Sequence, residues 1–133
     1  RPVIADRVHV ADLSGPLDHA GDSLDFVLCN AAIQHIDPET VIGVTLPEMA
    51  RVLEMDGILQ LMFNGGRGIK AVYDRDYDTE HTFQLYQSEK VIHLLDSQGL
   101  EVISSVGDKL GGVIQFADSK PMDHCVFYAR KVR

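Results

Sequence analysis

Two nearly continuous apolar runs constrain the fold of this chain most strongly. They cover residues 24–29 (LDFVLC) and 58–63 (ILQLMF), and such runs are typical of parallel strands that are covered on both faces. Between them, apolar residues recur at i, i+3, i+4 and i+7 within residues 44–53, which predicts a helix with one apolar face. The Asp56-Gly57 dipeptide predicts a turn before the second run. A strand–helix–strand unit of this kind predicts an α/β fold with a parallel sheet.

Capping signals mark the ends of the helices. Asp37 followed by Pro38 is typical of a helix start, because Asp caps free amide groups and Pro suits the first helical position. A later helix is predicted over residues 88–98, with Ser88 as its cap and Gly99 as its stop.

The remaining segments complete the predicted order of elements. Residues 7–11 (RVHVA) predict a short strand, and residues 13–23 predict a loop or broken helical turn. Residues 100–106 and 124–132 predict two strands that form an antiparallel hairpin at one edge of the sheet. Residues 64–87 start with glycines and continue with a polar stretch, so we predict a long loop with at most one helical turn. Long loops in compact domains are often functional.

Charge and composition exclude several classes of partner. The net charge of −8 repels phosphate backbones, so we expect no nucleic-acid partner. The basic residues Arg130, Lys131 and Arg133 are interpreted as a solvated strand end. No apolar run approaches the roughly 20 residues that span a bilayer, and no signal peptide is recognised, so we expect no membrane partner and a cytoplasmic location. Cys29 and Cys125 lie in apolar runs and are expected to be buried, reduced thiols.

Four segments carry a resemblance to a known family. They are VHVADL (residues 8–13), SLDFVLCNAAIQHID (23–37), LPEMARVLEMDGILQLMF (46–63) and SEKVIHLLDSQGLEV (88–102). In this order they resemble the third, fourth and fifth strand regions, and the following helix and strand, of class I S-adenosylmethionine-dependent methyltransferases that act on small molecules. The resemblance covers nearly the whole chain. It implies a Rossmann-like sheet, with residues 1–133 as a single domain that corresponds to the carboxy-terminal part of the family's domain.

The resemblance also implies a cofactor, S-adenosylmethionine, and residues that contact it. Asp12 matches the acidic residue that accepts a hydrogen bond from the adenine amino group, and the backbone of Leu13 would contact the adenine edge. Asn30 and Ala31 follow the family's fourth strand, where open α/β sheets bind ligands. His35 lies in the same crevice as a further cofactor contact. An aspartate after a strand also fits a simple loop cap, and His35 also fits a packing role at the start of a helix.

The methyl acceptor is expected to be a small molecule. The residues implied as its contacts are Gln34, Asn64, Tyr73, His81 and Tyr86. Ordinary loop packing is an equally good interpretation of the last three. No catalytic residue is singled out, because methyl transfer from a sulfonium chiefly requires positioning and exclusion of water.

The chain departs from the family pattern in its first part. The family's first two strands, its glycine-rich turn and the acidic residue after its second strand are missing, and the glycines of residues 65–68 follow the wrong strand to replace them. We therefore expect a truncated domain that is inactive by itself. The apolar residues 26–28 would then lie at an uncovered sheet edge, where a second copy of the chain could associate. The sequence CNAA after the strand lacks the Asn/Asp-Pro-Pro-aromatic signature, which argues against nucleobase or glutamine amines as acceptors.

Two other functions fit part of the sequence. CNAA resembles the Asn-Asn-Ala-Gly segment of short-chain dehydrogenases, and Tyr86 with Lys90 forms a Tyr-x-x-x-Lys pair. The serine that this family requires is absent after ILQLMF, and RVLEMDGILQL fits the methyltransferases better. The second function is a non-catalytic, methyltransferase-like module that dimerises or binds a partner.

Overall fold

The computed structural model describes residues 5–103, 113–117 and 123–133. The strands are β1 (Leu24–Asn30), β2 (Leu53–Gly65), β3 (Ile69–Asp74), β4 (Thr79–Gln84), β5 (Leu100–Val102), β6 (Val113–Ala117) and β7 (Asp123–Lys131). The helices are α1 (Pro38–Thr40), α2 (Leu46–Val52) and α3 (Ser88–Ser97), with 3₁₀ turns at Ala5–Arg7 and Ile33–His35 and a π-helical turn at Val41–Thr45. None of the described helices is long and apolar enough to cross a membrane.

The main sheet confirms the predicted α/β class. Its strand order is β1-β2-β7-β5, and β6 also pairs with β7. β1 and β2 are parallel, whereas β7 is antiparallel to β2, β5 and β6. The prediction of antiparallel strands at the carboxy terminus is confirmed, although β7 lies inside the sheet and not at its edge. The predicted strand over residues 100–106 is seen as Leu100–Val102, and residues 104–106 lie outside the described part of the chain.

The predicted strand over residues 7–11 is wrong. This segment forms no β-ladder within the described residues, and its side chains Val8 and Val10 are 63% and 105% exposed. β-Branched residues favour a strand mainly through packing against neighbouring strands. Because no neighbouring strand pairs with this segment, its β-branched composition does not produce a strand.

The predicted loop over residues 64–87 is also wrong in its middle part. β3 and β4 form an antiparallel hairpin, with Asp74 opposite Thr79. The connecting turn is stabilised by the Asp76 amide, which donates to Oδ1 of Asp74 at 2.9 Å, and by Asp78, whose φ is 47°. Short aspartate side chains tolerate this left-handed conformation and bond to nearby amides. The polar residues therefore form a hairpin turn.

The segment between β1 and β2 is helical, as predicted. The carboxylate of Asp37 accepts hydrogen bonds from the amides of Glu39 and Thr40, each at 3.2 Å, which confirms the predicted cap. The π-helical turn ends just before Pro47. Because Pro47 has no amide hydrogen, the regular bond to Gly43 cannot form there.

The Asp56-Gly57 turn is located inside β2 and does not precede it. Leu24 is opposite Leu53 and Phe26 is opposite Ile58, so two steps along β1 correspond to five along β2. Asp56 has the turn-like φ of 65°. A Cβ on Gly57 would lie 2.8 Å from the Glu54 carbonyl oxygen. The dipeptide therefore forms an irregularity that interrupts the pairing with β1.

The predicted end of α3 is confirmed, whereas its predicted cap is wrong. Gln87 occupies the N-cap position and Ser88 is the first helical residue. The Ser88 hydroxyl lies 3.5 Å from the sulfur of Cys125 instead. Gly99 has a φ of 79°, the left-handed conformation that ends many helices at glycine.

The core contains the predicted thiols and one unexpected lysine. Cys29 and Cys125 are buried and not joined by a disulfide. Burial raises the pKa of the Cys29 thiol to about 11. Arg130 and Arg133 are exposed, as expected for a solvated strand end, but Lys131 is only 9% exposed. A charged group is buried at such a position only when it has partners.

β1 is an edge strand within the described part of the sheet. The strand itself is confirmed, but Phe26 and Leu28 on one of its faces are 48% and 56% exposed. Cys29 points to the opposite, buried face. The apolar run predicted that both faces of this strand are covered, and this prediction is wrong because one face is exposed.

Candidate functional site

The parallel strands β1 and β2 end at the same edge of the sheet. Asn30 at the end of β1 is opposite Met62 of β2. The amide of Ala31 donates to the Met62 carbonyl oxygen at 3.0 Å, and Ala31 has a φ of 51°. The chain leaves β1 abruptly at this point. Ligands of open α/β sheets bind at such carboxyl ends.

A 3₁₀ turn, Ile33–His35, follows this exit. Ile33 is 1% exposed and anchors the turn in the core, and Gln34 is 4% exposed. The side-chain oxygen Oε1 of Gln34 has no hydrogen-bond partner among the described residues. The His35 side chain is exposed. The turn therefore places the buried amide of Gln34 next to the exposed imidazole of His35.

The β3–β4 hairpin lies against this turn. The ring centroid of Phe83 on β4 is 5.3 Å from that of His35 and 6.4 Å from that of His81. Nε2 of His81 lies 3.8 Å from Oδ2 of Asp74. The hairpin that sequence analysis missed is therefore the element that brings His35 and His81 beside the same aromatic ring.

A cavity of about 490 Å³ lies between the turn and β4. We call it the acidic cavity, and its polar lining includes Gln34, His35, Asp37, Glu80, His81 and Thr82. It brings together three of the residues that the sequence indicated, Gln34, His35 and His81. Its described lining includes two carboxylates and no lysine or arginine.

Hydrogen bonds maintain the negative charge of Asp37. The Thr40 hydroxyl donates to its carboxylate, and the amides of Thr40 and Glu39 donate as well. These bonds favour the ionised form and hold the pKa of Asp37 below its usual value, against a smaller opposing effect of desolvation. The acidic cavity therefore retains this charge at neutral pH.

A second cavity of about 510 Å³ has a different character. We call it the basic cavity, and its lining includes Gly66, Arg67, Gly68, Tyr86 and Lys90. Gln84 lines both cavities.

Tyr86 connects the basic cavity to the end of β2. Its amide donates to the Asn64 carbonyl oxygen at 2.9 Å, and its carbonyl oxygen accepts from the Gly66 amide at 3.0 Å. Its hydroxyl donates to the Ile33 carbonyl oxygen at 3.3 Å. Asn64 is buried at 1% exposure. Tyr86 and Asn64, both predicted to contact the acceptor, are thus joined to each other through the backbone.

The state of Tyr86 disfavours the dehydrogenase interpretation. Burial, together with the negative charge of Asp37, raises the pKa of Tyr86 to about 12. A dehydrogenase tyrosine needs a lowered pKa to exchange its proton. Tyr86 also lies outside α3, which starts at Ser88, whereas Lys90 lies within it.

The similarity of this chain to known proteins lies in its three-dimensional structure. No protein-family model matches the sequence, and no curated protein matches it either. Among solved structures, a methyltransferase dependent on S-adenosylmethionine from Methanosarcina mazei aligns with a TM-score of 0.72 at 18% identity. The alignment covers 93% of this chain and 66% of that one. This chain has a class I methyltransferase fold.

Further solved structures share the methyltransferase fold. The 1,6-didemethyltoxoflavin-N1-methyltransferase of Burkholderia thailandensis aligns with a TM-score of 0.65 at 17% identity, over 92% of this chain and 49% of that one. The cyclase SpnF also aligns with a TM-score of 0.65, at 13% identity, over 98% of this chain and 59% of that one. The chain thus spans about half to two thirds of the length of these three structures. Because one of them is named as a cyclase, the methyltransferase fold does not by itself define the reaction.

The residues predicted to bind adenine lie in the segment before β1. Asp12 is exposed, and its Oδ1 accepts a hydrogen bond from the Ser14 amide at 2.8 Å. Leu13 is half-buried, and its carbonyl oxygen accepts from the Thr45 hydroxyl at 2.8 Å. Neither residue lines the acidic or the basic cavity. Asp12 thus forms the loop cap that was the other interpretation of this residue, and its contact with adenine stays a prediction.

Tyr73 is separate from both cavities. It lies near the turn of the β3–β4 hairpin, is 58% exposed, and donates a hydrogen bond from its hydroxyl to the Asp78 carboxylate. This bond raises the pKa of Tyr73. Its role as an acceptor contact stays a prediction.

Sequence analysis missed Asp37, Glu80 and Phe83 as candidate site residues. Asp37 was recognised only as a cap, because capping is the local role that sequence reveals. Glu80 and Phe83 belong to a segment that was interpreted as a loop. The signal that indicates this hairpin is the pair of β-rich segments IKAVYD and TEHTFQ on either side of an aspartate-rich turn.

Proposed function

We propose that this chain carries the adenine-binding and acceptor-binding part of a methyltransferase that uses S-adenosylmethionine and acts on a small molecule. The observation that carries the proposal is the acidic cavity, which lies beside the carboxyl ends of two parallel strands in a methyltransferase fold. That end of the sheet is where such folds bind their ligands. Because the solved structures are at most 18% identical to this chain, their similarity supports the fold alone. The proposed activity is therefore argued from the site.

The residues present fit only part of the cofactor. Asp12 is exposed, and its carboxylate can accept a further hydrogen bond beyond that of Ser14, as the adenine amino group requires. Asn30 is the last residue of β1, and Ala31 follows it at the ligand-binding edge. When bound, S-adenosylmethionine supplies an electrophilic methyl group on a sulfonium. The chain's own residues would orient the acceptor and exclude water, which is the main protein contribution to this reaction.

Titration of S-adenosylhomocysteine into the 133-residue chain, followed by calorimetry, tests this proposal. We expect micromolar binding that Asp12→Ala weakens about ten-fold, because a hydrogen bond to a charged group contributes roughly 1.5 kcal/mol. Asp18→Ala is the matched control, since Asp18 is exposed in the same segment. NADH serves as the competing ligand. Binding of NADH alone would favour a dehydrogenase, and binding of neither ligand would contradict the proposed adenine site.

A second candidate function follows from the edge strand β1. Phe26 and Leu28 form an exposed apolar pair on this strand, and such edges favour association. A dimerising module would use this surface with or without a cofactor. Sedimentation of the chain and of Phe26→Lys tests this candidate, with Met55→Lys as a control because Met55 is similarly exposed at 52%. A monomer at all concentrations would contradict the dimer.

A further inference from the structure

The segment before β1 is held in place by polar side chains from the helical segment that precedes β2. The Thr45 hydroxyl donates to the Leu13 carbonyl oxygen at 2.8 Å. Oε2 of Glu48 accepts from the Leu17 amide at 2.7 Å, and the Arg51 guanidinium donates to the Leu17 carbonyl oxygen at 3.0 Å. These three side chains are three residues apart, so they lie near one face of the helical segment. One helical face therefore sets the position of this segment.

Thr45 makes an unusual bond for a threonine in a helical turn. Its side chain is buried, with the residue 1% exposed, and it ends the π-helical turn Val41–Thr45. A helical threonine commonly donates its hydroxyl to a carbonyl oxygen three or four residues earlier in the same helix. Thr45 instead donates to Leu13, which lies 32 positions earlier. Because single π-helical turns are frequent at functional sites, the partner of this hydroxyl indicates which function the turn serves.

The bond from Thr45 continues to the carboxylate of Asp12. The Leu13 carbonyl and the Ser14 amide belong to one planar peptide unit. The Thr45 hydroxyl holds the oxygen of this unit, and its N–H donates to Oδ1 of Asp12 at 2.8 Å. The Gly15 amide closes the turn by donating to the Asp12 carbonyl oxygen at 3.2 Å. Rotation of the peptide unit would break both of its bonds, so the Thr45 hydroxyl restricts the orientation of the Asp12 carboxylate.

We propose that Thr45 is a positioning residue for the recognition of adenine. It fixes the peptide unit between Leu13 and Ser14, and this unit holds the Asp12 carboxylate where it accepts a hydrogen bond from the adenine amino group. The recognition step rests on the proposed function, whereas the orientation of Asp12 by Thr45 does not. A carboxylate that is already oriented loses less conformational freedom when a ligand binds, which favours binding.

NMR spectroscopy of the 133-residue chain without cofactor tests the first step. Thr45→Val replaces the hydroxyl by a methyl group of similar size. We expect this variant to shift the signals of the Leu13 carbonyl carbon, the Ser14 amide and the Asp12 carboxyl carbon. Thr45→Ser keeps the hydroxyl, so these signals should return close to their wild-type positions. Unchanged signals in Thr45→Val would overturn the proposal.

Thr40→Val is the matched control. It also removes a threonine hydroxyl bond from the helical segment, but that bond goes to the Asp37 carboxylate. The signals of residues 12–15 should therefore not change in it, and changes equal to those in Thr45→Val would overturn the proposal. Because Thr45 is buried and its variant can lose the fold, the wild type provides a further measurement. Nuclear Overhauser effects should connect the Thr45 side chain with Leu13, and their absence would overturn the proposal as well.

Calorimetry with two ligands tests the recognition step. S-Inosylhomocysteine differs from S-adenosylhomocysteine by an oxygen in place of the adenine amino group. The wild type should bind the adenosyl compound about ten-fold more tightly, and Thr45→Val should reduce this preference to about three-fold or less. Thr45→Ser should restore the preference, and Thr40→Val should keep it. A merely structural role would weaken both ligands equally, so an unchanged preference in Thr45→Val would overturn the proposal.

The failure of this inference differs from the failure of the proposed function. A wild type that prefers S-adenosylhomocysteine, with the same preference in Thr45→Val, keeps the proposed function and contradicts the role of Thr45. A wild type that binds neither ligand contradicts the proposed function and the recognition of adenine with it. In that case the NMR signals still decide whether Thr45 orients Asp12.

Discussion

The ammonium group of Lys131 donates a hydrogen bond to Oδ1 of Asp22 at 2.8 Å and thereby joins the last strand to the loop before the first. Nζ also donates to the Leu53 carbonyl oxygen at 2.6 Å. The Lys131 side chain is 11% exposed, whereas that of Asp22 is 69% exposed. Water therefore screens the charge of the aspartate, and the buried bond to Leu53 contributes more to stability.

Lys131→Met should lower the free energy of unfolding by about 1–2 kcal/mol, because it leaves the Leu53 carbonyl oxygen without its donor. Asp22→Asn should cost less than about 1 kcal/mol, as for an exposed ion pair, and asparagine tolerates the φ of 54° at this position. Urea unfolding measures both. Arg130→Met is the control at an exposed neighbouring position. An equal loss of unfolding free energy in this control would contradict the stabilising role of the bond between Lys131 and Leu53.

Gly99→Ala should destabilise the chain by more than about 2 kcal/mol. Gly99 has a φ of 79°, and an added Cβ would overlap the Arg133 carbonyl oxygen. Gly43→Ala makes a matched comparison, because a Cβ there meets nothing within 4 Å. Since Gly43 lies in a helical turn, alanine should stabilise it by about 0.5–1 kcal/mol. The midpoint of thermal unfolding should fall in Gly99→Ala and rise in Gly43→Ala. Equal shifts in the two variants would contradict the backbone conformations of Gly99 and Gly43.

We expect the chain to lose stability in acid because the Glu48 carboxylate becomes protonated there. The Arg51 side chain and the Leu17 amide donate hydrogen bonds to it and lower the pKa of Glu48 from 4.5 to about 2. The folded state therefore binds this proton less readily than the unfolded state. The resulting stabilisation is complete above about pH 4.5 and is lost as the pH falls toward about 2.

Comparison of the wild type with Glu48→Gln at pH 7 and pH 3 measures this contribution. The difference in unfolding free energy between them should be larger at pH 7 and should shrink at pH 3. Glu54→Gln is the control, since Glu54 is exposed on the irregular part of β2. A difference that does not depend on pH would contradict the role of Glu48.

Tyr86→Phe separates a structural role from a catalytic one. The variant loses the hydrogen bond to the Ile33 carbonyl oxygen, which is long at 3.3 Å, so we expect a cost of about 0.5–1 kcal/mol. Its affinity for S-adenosylhomocysteine should stay that of the wild type. Loss of NADH binding in this variant would instead support the dehydrogenase interpretation. Calorimetry and urea unfolding provide the two readouts.

Features of this chain that depend only on neighbouring residues could be predicted from its sequence. The cap at Asp37 and the stop at Gly99 are confirmed, because the bonding and backbone requirements of helix ends involve only neighbouring residues. The candidate site is less predictable. Gln34, His35 and His81 were indicated by the sequence, but their convergence depends on the β3–β4 hairpin.

The sequence by itself determined the apolar strands β1 and β2 and the helical segment between them, because their residue periods are encoded in neighbouring side chains. Only the tertiary structure decided that residues 7–11 form no strand and that Lys131 is buried. A strand requires a partner strand, and a buried ammonium group requires acceptors from distant segments such as Asp22 and Leu53. Such partners are distant in sequence, so they become neighbours only when the chain folds.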